Sequence, residues 1–275
     1  MRFGLLGDPV AHSKSPRMHA AAFRALGVAH TYDAIRCSES ELAGWVEALR
    51  RGELGGLNVT VPHKRAVLRH VDALAETARA AGAANTLVRT DGKVVAHNTD
   101  VGAIAEELRR LAPGLEGGSA IVIGAGGAAR SALVACYNHL GIRRLHVRAR
   151  DPERARAMKL EELVGAATLS IEPLEPQPSV EPTVHFVVQA TSAGMDGAEP
   201  GDGVANAIAW DDLPPRAAAL DVVYAPPDTP FVAAARDHGI RASAGLGMLA
   251  WQGALALELW LGVPAPYDAM LAALA

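Results

Sequence analysis

The sequence predicts an α/β protein of two domains, the central one built on a doubly wound parallel sheet. Three observations predict it. Short apolar runs alternate with longer helical patterns along most of the 275 residues. Ser119-Ala-Ile-Val-Ile123 is a continuous apolar run, as in strands buried on both faces of a parallel sheet. A glycine-rich turn follows it at once and leads into a helical pattern.

The elements follow in order. Phe3 to Leu6 reads as the first strand. Ser15-Pro16 opens a helix running to about Leu26, with Ser15 as N-cap and Pro16 at the first helical position. Leu57 to Val61 is a strand. Thr86 to Arg89 and Val94 to Ala96 flank Asp91-Gly92, a hairpin signal, and a helix from Val101 to Arg110 follows. After Ser119–Ile123 come a helix at Ala128–Leu140, a strand at Leu145–Val147, a helix at Pro152–Val164, and strands at Val184–Ala190 and Ala218–Val223. Glu172 to Pro182 and Gly194 to Gly203 read as surface loops. Leu246 to Leu261, interrupted only by Gln252 and Glu258, reads as a buried core helix. Domain boundaries are expected near Val101 and Arg241, giving one domain of residues 1–101 plus 241–275 and another of 102–240. The C-terminal helices return to the first domain because they are too apolar to stand alone.

Composition excludes several classes. Half the residues are hydrophobic, enough for a sizeable core, and the net charge of −4 gives no basic face for nucleic acid. Cys37 and Cys136 are too few for a disulfide framework, no CxxC pair exists, and no metal-ligand spacing appears. A reducing, cytoplasmic setting is expected. The first residues carry only a short apolar run before Asp8, unlike a signal peptide. No stretch approaches the roughly 20 apolar residues of a membrane helix.

The glycine turn is the first chemical clue. Gly124-Ala125-Gly126-Gly127-Ala128 joins a buried strand to a helix start. Gly124 permits the tight turn, Gly126 lets the backbone approach a pyrophosphate, and Gly127 with Ala128 keeps the helix start slim. The amides at that helix N-terminus suit phosphates. The central domain is therefore expected to be Rossmann-like. The next strand runs into Arg148-Ala-Arg150-Asp151, with Arg154 after it. Arg150 and Arg154, four apart at a helix start, can clamp a 2′-phosphate, which favours NADP. Arg148 and Arg156 read equally well as a solvated basic helix face. Asp151 can accept a ribose hydroxyl, which keeps NAD possible.

The N-terminal half carries a second set of polar residues at the ends of elements, where α/β sites lie. They are Ser13 and Ser15, Asn58 and Thr60 on one strand face, Lys64 just past Pro62, Asn85, and Asn98-Thr99-Asp100. Each has a plainer reading. Asn85 and Asn98 are good turn formers, Ser15 a helix cap, Thr99 and Asp100 caps of the helix at Val101, and a lone lysine is usually just exposed.

Together these segments resemble the shikimate dehydrogenase family. The matching stretches are His12-Ser-Lys-Ser-Pro16, Asn58-Val-Thr-Val-Pro62 with Lys64, Ala81-Gly-Ala-Ala-Asn-Thr86, Asn98-Thr-Asp100, Gly124-Ala-Gly-Gly127, Ala190-Thr-Ser192, Asp221 to Tyr224, and Gly245-Leu-Gly-Met-Leu249 with Gln252. They occur in family order and cover nearly the whole chain. The resemblance implies reversible NADPH-dependent reduction of 3-dehydroshikimate to shikimate, in aromatic amino-acid biosynthesis. It implies that Lys64 and Asp100 are the catalytic pair. It assigns Ser13, Ser15 and Tyr224 to the substrate carboxylate, and Thr60, Asn85 and Gln252 to its hydroxyls. Gly245 and Met248 would lie near the nicotinamide and Thr191 beside the cofactor. Family members occur as monomers and as homodimers.

The chain departs from the family pattern at Ala149 and Asp151, which flank the cofactor arginine, and at Val101, Gln189 and Ala244. None of these is expected to touch substrate. A relative acting on quinate ranks second and an aminoshikimate enzyme third. A non-catalytic NADP sensor would predict loss of Lys64 or Asp100, and both are present.

Overall fold

The computed structural model describes all 275 residues. The chain divides into two compact units, Met1–Ala103 with Leu249–Ala275, and Ile104–Met248. No helix is long and apolar enough to cross a membrane.

The first unit is built on a mixed sheet of β1 (Arg2–Gly7), β2 (Thr31–Arg36), β3 (Gly56–Val59), β4 (Ala73–Leu74), β5 (Thr86–Thr90) and β6 (Lys93–His97). Their order across the sheet is β2-β1-β3-β5-β6-β4. β1 runs parallel to β2 and β3, whereas β5 runs antiparallel to β3 and β6. In the β5–β6 hairpin Asp91 and Gly92 have φ of 51° and 75°, the left-handed pair a two-residue primed turn requires. The helices are α1 (Ser15–Ala25), α2 (Leu42–Arg50), α3 (Glu76–Ala81) and the start of α4 (Thr99–Leu111). Leu42, Val46 and Leu49 of α2 bury one face at helical spacing in a core with Leu57, Leu87 and Val94.

Two local expectations change here. Ser15 is not the N-cap of α1 but its first residue; Lys14 occupies the cap, and the Ser13 hydroxyl accepts the Ser15 amide at 3.2 Å. β3 stops at Val59, two residues early, because Pro62 has no N–H to continue a ladder. The chain turns instead, with the His63 amide donating to the Thr60 carbonyl at 2.9 Å.

The second unit holds β7 (Ser119–Ile123), β8 (Arg144–Ala149), β9 (Thr168–Pro173), β10 (Val184–Gln189), β11 (Ala218–Asp221) and β12 (Arg241–Ser243). All pair in parallel, in the order β12-β11-β10-β7-β8-β9. The winding reverses between β7 and β10, the switch point at which ligands of such sheets bind. Around the sheet come the rest of α4, α5 (Gly127–His139), α6 (Pro152–Ala157), α7 (Asp202–Asn206) and α8 (Pro230–Asp237). β7 is buried along its whole length, as its unbroken apolar run requires. The fold class read from the sequence is the one observed.

Boundaries differ in four places. α6 ends at Ala157 instead of running to Val164, because Lys159 adopts a left-handed conformation (φ 51°) and a short 3-10 turn follows. β9 takes in Glu172 and Pro173, and α7 begins inside the second expected loop. β12 pairs with β11, so Arg241 onward belongs to this sheet, and the division falls after Met248. The apolar α9 (Leu246–Leu261) carries the chain back, and α10 (Tyr267–Ala272) follows in the first unit.

Candidate active site

In the first unit the Lys64 ammonium donates to Asp100 Oδ2 at 2.6 Å. The two residues lie 36 positions apart, one in the turn after β3 and the other in the first turn of α4. Their backbone is well fixed. Ala84 N–H bonds the Lys64 carbonyl at 2.8 Å, and Val101 N–H bonds Asn98 Oδ1 at 3.3 Å, so Asn98 caps α4. Thr99 and Asp100 therefore lie inside the helix, and Asp100 is released from capping. The Asp100 side chain is 6% exposed and that of Lys64 22%, so the ammonium is the member that reaches solvent. Asn85 completes the group: its Nδ2 donates to Asp100 Oδ1 at 2.8 Å and approaches Gln252 Oε1 at 3.5 Å. Lys64, Asp100, Asn85 and Gln252 thus lie together in this unit. Such a group can polarise a carbonyl oxygen and exchange a proton with it.

Ser13 and Ser15 face one another, with Oγ–Oγ at 3.2 Å. Thr60 lies beyond β3, its methyl against the position a Gly7 side chain would take. Asn58 and Thr60 therefore do not share a strand face. Asn58 is buried and turned into the unit.

Tyr224 belongs to the second unit, in the loop between β11 and α8. Asp221 holds that loop. Its carboxylate accepts Val223 N–H at 2.9 Å and the Thr229 hydroxyl at 2.6 Å, and Thr229 in turn caps α8. Burial pushes the Asp221 carboxyl up to about 6, with the two hydrogen bonds opposing it. Its folded value thus exceeds its unfolded one, so the ionised form costs stability. That cost is absent below the unfolded value, grows as pH rises to about 6, and is complete above it. Asp221→Asn is expected to improve in stability relative to the parent by on the order of 2 kcal/mol between about pH 4 and about pH 7. Denaturant melts across that range check it, and parallel pH curves would refute it.

The glycine turn lies at the carboxyl end of β7. Gly124 has φ +112°, and a side chain there would come within 2.9 Å of Thr191 Cγ2 and 3.1 Å of the Ala190 carbonyl. The turn is thereby pressed against the end of β10. Gly126 and Gly127 are the opposite case, since a Cβ at either meets nothing within 4 Å. Gly126 is the N-cap of α5 and has no side chain to satisfy the first amides. The result is an open cradle at a helix N-terminus, which fits a dinucleotide pyrophosphate. Gly245 runs directly against the Val222 carbonyl and bonds Val223 O through its amide at 2.8 Å, and Met248 is buried.

The basic residues after β8 separate. Arg150 is exposed and pairs with Glu199 at 2.6 Å. No hydrogen bond or ion pair engages the exposed Arg154 side chain; its amide donates to Asp151, the cap of α6, at 2.9 Å. Arg148 is no part of a solvated helix face. It sits buried in β8, donating to the Ala207 carbonyl. No group of three or more His, Cys, Asp or Glu side chains is arranged to hold a metal. Sequence reasoning missed Asp221 as the loop's anchor, which its position at a strand end could have suggested.

An all-parallel sheet with a glycine turn at its switch point, in a chain that also carries a half-buried ammonium–carboxylate pair, defines a dinucleotide-dependent oxidoreductase. Residues 5–87 match the model of the shikimate dehydrogenase substrate binding domain, and residues 245–275 that of the shikimate 5′-dehydrogenase C-terminal domain. The chain belongs to the shikimate dehydrogenase family. A Desulforamulus reducens protein named shikimate dehydrogenase (NADP(+)) is 40% identical over 276 residues, covering 97% of this chain and 92% of that one. The crystal structure of shikimate 5-dehydrogenase from Thermus thermophilus, in complex with NADP(H) and shikimate, has a TM-score of 0.84 at 36% identity, covering 100% of this chain and 98% of that one. Quinate dehydrogenase from Corynebacterium glutamicum, in complex with NAD, has a TM-score of 0.86 at 30% identity, covering 99% and 98%.

Proposed function

We propose that this chain is an NADP-dependent shikimate dehydrogenase, reversibly reducing 3-dehydroshikimate to shikimate on the route to aromatic amino acids in the cytoplasm. The carrying observation is the Lys64–Asp100 pair with Asn85 against it, in a chain of this family. The cofactor, when bound, supplies or accepts the hydride. The chain's residues do the rest. Lys64 stabilises negative charge on the substrate's carbonyl oxygen and gives it a proton, and in the reverse direction takes that proton back. Asp100 holds the ammonium in place, and Asn85 with Gln252 orients the ring hydroxyls. Ser13 and Ser15 bind the carboxylate, and Thr60 a further hydroxyl. These are mostly neutral groups, which fix position without excess charge.

For the cofactor, Gly124 to Ala128 would take the pyrophosphate, with Thr191 beside it and Gly245 and Met248 toward the nicotinamide. Arg150 and Arg154 would hold the 2′-phosphate. Arg150→Ala is expected to lower kcat/KM with NADP+ about tenfold while leaving NAD+ almost unchanged. An unchanged NADP+ value would remove the clamp. No partner beyond these small molecules is proposed, and the protein would act as a monomer or homodimer.

The deciding assay follows reduction of NADP+, then NAD+, with shikimate and with quinate. Shikimate with NADP+ is expected to give the highest kcat/KM. Similarity to the Corynebacterium glutamicum enzyme favours quinate as the second reading, and faster turnover of quinate would establish it. No turnover with any pairing would overturn both.

A further inference from the structure

Behind Asn85 lies a continuous run of oriented hydrogen bonds that ends on Tyr32, a buried residue of β2. The Tyr32 hydroxyl donates to Asn58 Oδ1 at 2.7 Å. Asn58 Nδ2 donates to the Asn85 carbonyl and to Thr86 Oγ1, each at 3.0 Å. Thr86 Oγ1 donates to Asn85 Oδ1 at 3.1 Å, and the Thr99 amide reaches the same oxygen at 2.8 Å. Asn85 Nδ2 is thereby left to face Asp100, whose other oxygen receives Lys64.

The bond directions agree with one another, and two backbone groups of fixed role, the Asn85 carbonyl and the Thr99 amide, share with Tyr32 in setting them. A phenol that donates to Asn58 Oδ1 fixes which end of that amide is oxygen. The NH2 end then points to Thr86, whose hydroxyl lies 3.1 Å from Asn85 Oδ1 and 3.3 Å from Thr99 Oγ1. Together with the Thr99 amide on the same Asn85 oxygen, this holds the Asn85 amide with its NH2 toward the carboxylate. Were Asn58 reversed, its oxygen would face the Asn85 carbonyl, acceptor against acceptor, in a buried site.

The start of the run is held rigid. The Tyr32 ring stacks on His19 with centroids 4.1 Å apart and planes at 10°. Burial pushes the Tyr32 phenol well above its ordinary value, so it keeps its proton and remains a donor. Burial lowers His19 to about 3, and neither ring nitrogen has a hydrogen-bond partner. His19 is therefore a neutral packing surface that does not compete for the hydroxyl.

We propose that Tyr32 is a positioning residue for the Lys64–Asp100 pair, acting through Asn58, Thr86 and Asn85. The proposal rests on the catalytic reading of that pair given above. Tyr32→Phe keeps the ring and its packing and removes only the oxygen. It is expected to lower kcat about tenfold while leaving KM for NADP+ within about twofold. Thr86→Val breaks the same run nearer the pair, and the two losses are expected not to add in the double variant. A nuclear magnetic resonance spectrum gives a readout independent of turnover: the Asn85 side-chain amide signals are expected to move in Tyr32→Phe.

Parental kcat in folded Tyr32→Phe, or fully additive losses, overturns the proposal, and so do Asn85 signals that stay in place. Failure of the catalytic reading looks different, since Lys64→Ala would then retain its turnover. In that event a moved Asn85 signal still supports the structural relay from Tyr32 to Asp100.

Discussion

Lys64→Ala is expected to lower kcat about a thousandfold, with the fold and cofactor affinity retained. The size follows from what the ammonium does. A carbonyl being reduced acquires a full charge on oxygen, and Lys64 is the acidic group of the pair, with Asp100 turned toward it at 2.6 Å and more deeply buried. Water in place of the ammonium is a poorer acid and carries no charge to stabilise the oxygen. Cofactor affinity is retained because the glycine turn belongs to the other unit of the chain. The variant leaves Asp100 buried with Asn85 as its remaining side-chain donor, so a modest drop in melting temperature accompanies the loss. Circular dichroism and cofactor titration establish the folded, binding-competent state, and turnover is measured on that sample. Near-normal kcat there would remove lysine from the mechanism.

The second large effect separates two glycines of one turn. Gly126→Ser is expected to weaken NADP binding on the order of a hundredfold, about 3 kcal/mol, without loss of stability. A Cβ at Gly126 meets open space, and the residue's φ of −77° and ψ of −166° suit a serine N-cap, which would satisfy an α5 amide left bare by glycine. The same side chain occupies the space a pyrophosphate would need. Gly124→Ala is expected to do the reverse and strike the fold first. Its φ of +112° and its closeness to Thr191 and Ala190 leave no room, at a cost of about 2–4 kcal/mol. Calorimetric melting with cofactor titration checks both. A Gly126→Ser protein that binds normally would dissociate the cradle from the cofactor.

These contrasts bear on what a sequence discloses. The glycine turn was legible because its chemistry is local: one buried strand, one turn and one helix start, contiguous in the chain. Lys64 and Asp100 were legible as residues but not as a contact, since only the β3–β5 pairing and the Asn98 cap bring them together. Their pairing entered through family resemblance. Tyr32 could not be read at all. It sits in a six-residue strand where polar and apolar residues mix, and its role depends on bonds to residues 26 and more positions away. The edge strands β9 and β12 escaped for a related reason. β9 is only half-buried and β12 has three residues, so neither carries an apolar signature. The helix expected through Val164 failed because nothing in its composition shows that Lys159 turns left-handed.

A guanidinium that already holds a carboxylate is an ion-exchange site. Arg150 is exposed and meets Glu199 through Nη1 alone, so on the proposed clamp a 2′-phosphate would compete with that carboxylate for the guanidinium. On that reading, preference for the phosphorylated cofactor would be set by the difference between two anions, rather than by the full attraction of one. Such a preference is modest, and it can be tuned by a single acidic residue 49 positions away without altering the glycine turn. If the proposed clamp holds the phosphate, cofactor choice in this chain would be an adjustable setting, separable from the glycine turn.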